Sequence, residues 1–205
     1  MARYFDIHPV DPQPRLVEQV VSLLREDGLI AYPTDSGYAL GIQLGNRDGL
    51  DRMRAVRHLD DKHHFTLVCR DFAQLGSLVH IDNSIFRMVK AATPGPYTFI
   101  LPATSEVPRR LMAPKKRSVG VRIPDHTLVQ ALLAELGEPL ISTTLLLPDQ
   151  AEPMTEGWLI KDELDQMLDA VLEGEAGSLP TTVVDFTSGL PEISRYGAGD
   201  PDRFE

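Results

Sequence analysis

Apolar positions in this chain switch repeatedly between helical and strand spacing. Over residues 14–27, Leu16, Val17, Val20, Val21, Leu23 and Leu24 fall on one broad helical stripe, with Pro14 suited to its first turn. Residues 28–31 then read as a short apolar strand, which Pro33, lacking an N–H for a ladder, is expected to end. Four small or polar residues follow, and a second apolar run extends from Tyr38 to Leu44. Asp48 is placed to cap a helix through about His58, with Leu50, Met53, Val56 and Leu59 as its apolar positions. Residues 65–69 form a compact strand, a short helical turn begins at Asp71, and a longer helix at Asp82 carries Ile85, Phe86, Met88 and Val89.

Strands are predicted at 97–101 and 118–123. Asp125 is expected to cap the clearest helix, with Leu128, Val129, Leu132, Leu133 and Leu136 inward and Gly137 in the terminating position. Residues 140–147 are apolar and β-branched, interrupted by Ser142, Thr143 and Thr144. Residues 148–157 read as a surface loop, 161–173 as an acidic helix, 181–186 as a strand and 193–196 as a last strand. Interleaved helices and strands imply an open mixed α/β sheet covered by helices. No repeat, low-complexity tract or linker divides the chain, so residues 1–205 are expected to form one domain.

A single cysteine, Cys69, excludes an internal disulfide and agrees with a reducing compartment. No apolar run approaches a membrane span and the N-terminus lacks a signal-peptide layout, so a cytoplasmic protein is expected. The net charge of −10 is unevenly spread. Residues 1–148 hold 17 Lys/Arg and 16 Asp/Glu, a balance of +1, whereas residues 149–205 hold 3 and 14, a balance of −11. The total therefore says little about a site formed by the first part. Within it, Arg109, Arg110, Lys115, Lys116, Arg117 and Arg122 crowd together with no acid between them: either a solvated face, or a patch facing a nucleotide or an RNA backbone.

Residues 32–41 leave an apolar strand, present Thr34, Asp35 and Ser36, and return to an apolar run. This suits a loop offering polar groups to a small ligand, and equally a tight hairpin rich in turn formers. Neither a P-loop, a G-x-G-x-x-G fingerprint nor a G-x-S-x-G elbow occurs. His58, His63, His64 and Cys69, with Asp60 and Asp61 between them, match no common zinc spacing and read as a polar loop; no metal site is assigned.

The remaining polar segments are Pro33-Thr34, residues 93–98, Val119-Gly120-Val121-Arg122-Ile123-Pro124, Ser142-Thr143-Thr144, Thr181-Thr182-Val183-Val184-Asp185 and Arg195-Tyr196-Gly197. In this order and at these separations they resemble the YrdC/YciO family over nearly the whole chain. Phe5-Asp6-Ile7-His8-Pro9, Pro33-Thr34-Asp35-Ser36-Gly37-Tyr38 and His64-Phe65-Thr66-Leu67 look most like its YciO branch. The resemblance implies a single YrdC/RibB-like α/β domain, its twisted open mixed sheet curved around a basic cavity. It also implies synthesis of threonylcarbamoyl-AMP from L-threonine, bicarbonate and MgATP, linked to tRNA modification, and binding of double-stranded RNA or tRNA. Magnesium would enter only as MgATP, and no tightly bound cofactor is expected.

Carried over position by position, Arg57 and Arg122 would be the catalytic cations. Thr34, Ser142, Thr144, Thr182 and Arg195 would contact substrate or nucleotide, and Arg109, Arg110, Lys115, Lys116 and Arg117 would face RNA phosphates. Two patterns depart from the synthases. Their Lys-x-Arg is matched by Arg57-His58-Leu59, and their Ser-x-Asn by Thr144-Leu145-Leu146. Each loss would cost about 2–4 kcal/mol of transition-state stabilisation, and Lys62, Arg54 and His63 are the candidates to substitute in space. The resemblance therefore implies weak or altered synthase chemistry. A non-catalytic RNA- or nucleotide-binding module that keeps the pocket stays open beside it.

Overall fold

The computed structural model describes residues 1–60, 63–148 and 150–204. The chain runs β1 (Arg3–Asp6), α1 (Pro14–Arg25), β2 (Ile30–Thr34), β3 (Gly37–Gln43), α2 (Arg47–Arg57), β4 (Thr66–Val68), α3 (Phe72–Leu78) and α4 (Asn83–Ala91). It continues through β5 (Tyr97–Pro102), β6 (Ser118–Arg122), α5 (Thr127–Leu136), β7 (Leu140–Thr144), α6 (Gly157–Leu164), β8 (Ala170–Glu173), β9 (Thr182–Asp185) and β10 (Glu192–Arg195). Among the described residues ten strands form one mixed sheet in the order β1-β8-β2-β3-β7-β4-β6-β5-β9-β10. The protein is a single α/β domain.

Alternation along the strands sends side chains into two apolar layers. From β2, Ile30 and Tyr32 join α1 and α5, whose Val20, Val21, Leu24, Leu128, Val129 and Leu132 cover that face. Ala31 faces the opposite layer, where Met53, Leu75, Val89 and Ile160 pack on Leu40, Leu67, Phe99 and Ile141. The α5 stripe behaves as its spacing predicts, and Gly137 ends the helix in the left-handed region at φ 78°.

Several boundaries differ from the sequence expectation. Pro33 lies inside β2, opposite Tyr38. Tyr38 directs its N–H to the Met154 carbonyl and its own carbonyl to Leu145 N–H, so this pair exchanges no ladder bond and the missing proline donor is not needed. The α2 cap is Asn46, whose Oδ1 accepts from Gly49 N at 2.7 Å, rather than Asp48. Asp125 does not cap α5; its N–H donates to Asp35 Oδ2, and His126 occupies the cap position. The expected helix over 161–173 is replaced by α6, ending at Leu164, and by β8. Ala170, Val171 and Leu172 are fully buried between β1 and β2, a continuous apolar run suited to a parallel strand covered on both faces. The segment between β7 and α6 is not a surface loop throughout: Met154 is buried and its N–H is bonded to the Leu145 carbonyl. No helix among the described residues is long and apolar enough to cross a membrane.

Candidate functional site

A cavity of about 490 Å³ opens where the β2–β3 hairpin, the C-terminal ends of α2 and β7, and the faces of β5, β6 and β9 converge. Its first wall is the hairpin turn. Gly37 takes φ 111°, a region closed to most side chains, and Thr34 Oγ1 braces the turn by donating to the Gly37 carbonyl at 2.7 Å and accepting from Ser36 N. The segment is thus a tight hairpin and also cavity wall, with Thr34 and Ser36 both lining. Gly177 lies against this turn, where a Cβ would stand 2.2 Å from the Asp35 carbonyl oxygen.

Arg122, at the end of β6, reaches this turn. Its Nη1 donates to Ser36 Oγ at 2.8 Å and its Nη2 is ion-paired with Asp35 Oδ1. Arg122 is buried and Asp35 nearly so, and Arg122 Nε is buried with no partner among the described residues. Arg195 enters from β10 beside a register shift that re-aims the strand. Its Nε donates to the Thr181 carbonyl at 3.0 Å and its Nη2 to Thr181 Oγ1 at 2.8 Å. Burial, and then the nearby Arg122 charge, lower its pKa.

Arg57 closes the far side. It is the last residue of α2, and its Nε donates to the Leu146 carbonyl at 3.0 Å while Nη1 donates to Thr143 Oγ1 at 2.6 Å. Burial lowers its pKa. His63 Nε2 lies 3.0 Å from the same Thr143 oxygen. Desolvation and the adjacent Arg57 charge push the His63 pKa down to about 4. Between these clusters Ser142 Oγ donates to the Leu40 carbonyl and accepts from the Tyr32 hydroxyl at 2.7 Å, and burial raises Tyr32 to about 12. Ile100, Val119, Val183 and Leu179 supply an apolar wall.

The structure brings Arg57, Arg122, Thr34, Ser142, Thr144 and Arg195 to one cavity. Thr182 is not among its lining residues. Its side chain is fully buried, donating to the Gly199 carbonyl at 2.6 Å and accepting from Gly197 N, because adjacent strand residues face opposite ways. Thr181 takes the cavity side. Thr143 and Tyr32 also line the cavity without being among the expected site residues, and His63, expected only as a substitute cation, lines it with them; the hydroxyl run and the histidine pair are the available signals, but only the fold brings them together.

Leu59 packs on the apolar core, turned there by His58 at φ 50°, and Leu146 lines the cavity. Of the three candidates to replace the missing cation, Lys62 lies outside the described residues. Arg54 bonds Asp51 and stands over the Phe65 ring, away from the lining. His63 lines it.

Arg109 and Arg110 are exposed in a short 3-10 turn (Arg109–Leu111), and Lys115, Lys116 and Arg117 are exposed on the same β5–β6 connection. Ala113 and Ser118, flanking the latter three, line the cavity, so they border its mouth. Lys116 Nζ contacts Asp185 Oδ2 at 3.2 Å and Thr187 Oγ1 at 2.9 Å. Among the described residues no three His, Cys, Asp or Glu side chains gather to hold a metal. Cys69 is buried, which pushes its thiol pKa up; Asp61 lies outside the described residues.

The Sua5/YciO/YrdC family model, described as "Telomere recombination", matches residues 22–197. The "Uncharacterized protein YciO" of Escherichia coli K12 is 45% identical over 205 residues, covering 100% of both chains, and a crystal structure of E. coli YciO superposes with a TM-score of 0.96 over the full length of each. A threonylcarbamoyl-AMP synthase of Vibrio vulnificus is 32% identical over 164 residues, 78% of this chain and 87% of its own. The structure of P. abyssi Sua5 complexed with L-threonine shares the fold at 20% identity, with a TM-score of 0.85 over 96% of this chain and 57% of that one.

Proposed function

The chain belongs to the Sua5/YciO/YrdC family, and from that premise we propose that its cavity binds ATP and L-threonine and carries out a weak or altered synthesis of threonylcarbamoyl-AMP. The observation that carries this reading is the convergence of Arg57, Arg122 and Arg195 on one cavity, where among the described residues only Arg122 has an ion-pair partner. Two partly desolvated cations held by hydroxyls and carbonyls, with no ion-pair partner among the described residues, favour an anionic ligand. The apolar wall of Ile100, Val119 and Val183 suits a planar base.

In this chemistry the threonine amine takes up the carbon of bicarbonate with loss of water. A carbamate oxygen then attacks the α-phosphorus of ATP and pyrophosphate leaves. The protein positions the partners and offsets charge, a task that needs no protein nucleophile. Magnesium would arrive with ATP and offset charge on the departing pyrophosphate. The altered rate follows from Leu59, which points its side chain to the core, and Leu146, whose side chain offers no hydrogen bond. Two losses of about 2–4 kcal/mol each correspond to several orders of magnitude in rate.

The test is pyrophosphate release from ATP and bicarbonate, with and without L-threonine, beside Arg57→Ala and Arg195→Ala. These variants leave no ion-paired carboxylate stranded, as loss of Arg122 would leave Asp35. Threonine-dependent release that both variants reduce supports the reading; release equal in all three proteins removes it. A second reading, binding of double-stranded RNA or tRNA, is favoured by the basic segment Lys115, Lys116 and Arg117 at the mouth of the cavity.

A further inference from the structure

Thr143 stands between Arg57 and His63, where its hydroxyl can accept from one and donate to the other. Arg57 can only donate, so Thr143 Oγ1 accepts from Nη1 at 2.6 Å. Its hydroxyl hydrogen is free to go to His63 Nε2 at 3.0 Å. In that arrangement the imidazole is an acceptor at Nε2, neutral, with its proton on Nδ1.

The surroundings maintain that state. Burial first, then the Arg57 charge and the neighbouring His64, disfavour a charge on His63; Asp60 opposes them, Arg54 adds a smaller push in the same direction as Arg57, and the pKa is held at about 4. The Phe65 ring meets the imidazole edge-on at 5.2 Å, and Thr143 is the β7 contact. An anion beside Arg57 changes this balance, because it would offset the guanidinium charge that His63 experiences.

We propose that an anionic group binding beside Arg57 draws one proton from solvent onto His63 Nε2, and that this proton reverses the His63–Thr143 hydrogen bond. Thr143 Oγ1 then accepts from both Arg57 and His63, and its hydroxyl hydrogen turns into the cavity toward the anion. The site gains a positive charge and a donor together, only when occupied. His63 thus supplies, conditionally, a second cation on the side of the cavity from which Leu59 is withdrawn. This inference rests on the reading that the cavity takes a nucleotide phosphate.

The test is an NMR pH titration of the His63 imidazole in the whole protein, alone and saturated with AMP. Reading the ring directly separates its proton from that of the AMP phosphate. The expected result is a His63 pKa at least one unit higher with AMP, equivalent to about tenfold tighter binding by the protonated protein. In Thr143→Val the AMP-free pKa is expected to rise, because the donor that favours neutral imidazole is gone. AMP perturbing cavity resonances while His63 titrates unchanged would overturn the proton-coupled clamp and leave nucleotide binding intact. No perturbation of any cavity resonance at millimolar AMP would overturn the nucleotide reading, and the clamp with it. The wild-type titration decides the matter even if the valine variant does not fold.

Discussion

Thr181 and Thr182 are neighbours with opposite tasks. Thr181 Oγ1 accepts from Arg195 and shares a hydrogen bond with Thr98 at 2.8 Å, while Thr182 ties the chain's last segment through Gly197 N and the Gly199 carbonyl. Thr182→Val leaves the part-buried Gly197 amide and the buried Gly199 carbonyl without their partner and is expected to cost about 1–2 kcal/mol of stability in urea unfolding, with AMP affinity almost unchanged. Thr181→Val removes one of the two anchors of Arg195 and is expected to weaken AMP about tenfold by calorimetry. The reverse pattern would show that Thr182, not Thr181, serves the ligand. His63 gives a residue-scale pH dependence. Its folded pKa of about 4 lies below the ordinary 6.5, so the unfolded chain binds the proton more readily. Its contribution is intact above pH 6.5 and is lost as pH falls toward 4. For a half-buried ring the loss is about 1–2 kcal/mol after discounting solvent screening. His63→Asn should flatten stability across that window; an unchanged slope would place the ring in solvent.

At the scale of elements, the two helices α1 and α5 form one layer over β2, β7 and β8. Leu132 is fully buried in that layer, so Leu132→Ala is expected to cost about 2–5 kcal/mol in denaturant unfolding. A loss under 1 kcal/mol would mean that α5 does not seal the sheet. This helix was legible in the sequence because its stripe and its glycine stop are local signals. The β8 strand was not, since Ala170, Val171 and Leu172 follow an acidic helical stretch and only pairing between β1 and β2 makes them a strand. The site divides in the same way. Arg57, Arg122 and Arg195 are implied by the family resemblance, and the structure gathers them at one cavity. The Thr143–His63 contact joins residues eighty positions apart and has no local signature. Thr182 is the position that the family resemblance implies, but whether it or Thr181 faces the cavity depends on strand parity, which a one-residue shift inverts.

For the whole molecule, the late acidic portion does not form one block in space. The β8 strand sits between β1 and β2 near one end of the sheet, whereas β9 and β10 form the opposite end beyond β5. Acidic residues are thereby distributed to both ends, and the basic β5–β6 connection stands at the cavity mouth between them. One acid does reach it: Asp185 of β9 engages Lys116, leaving Lys115 and Arg117 as the more available charges for a phosphate backbone. Lys116 is already partly neutralised, so the three residues are not equivalent in RNA binding. Replacing all three by alanine should weaken double-stranded RNA, measured by anisotropy between 50 and 200 mM salt. The slope of log affinity against log salt should fall by about 2, since each lost phosphate contact removes about 0.9. Lys116→Ala alone should lower it by well under one, and Lys115→Ala or Arg117→Ala by about one each. Identical slopes in the triple variant and the wild type would confine phosphate recognition to the cavity.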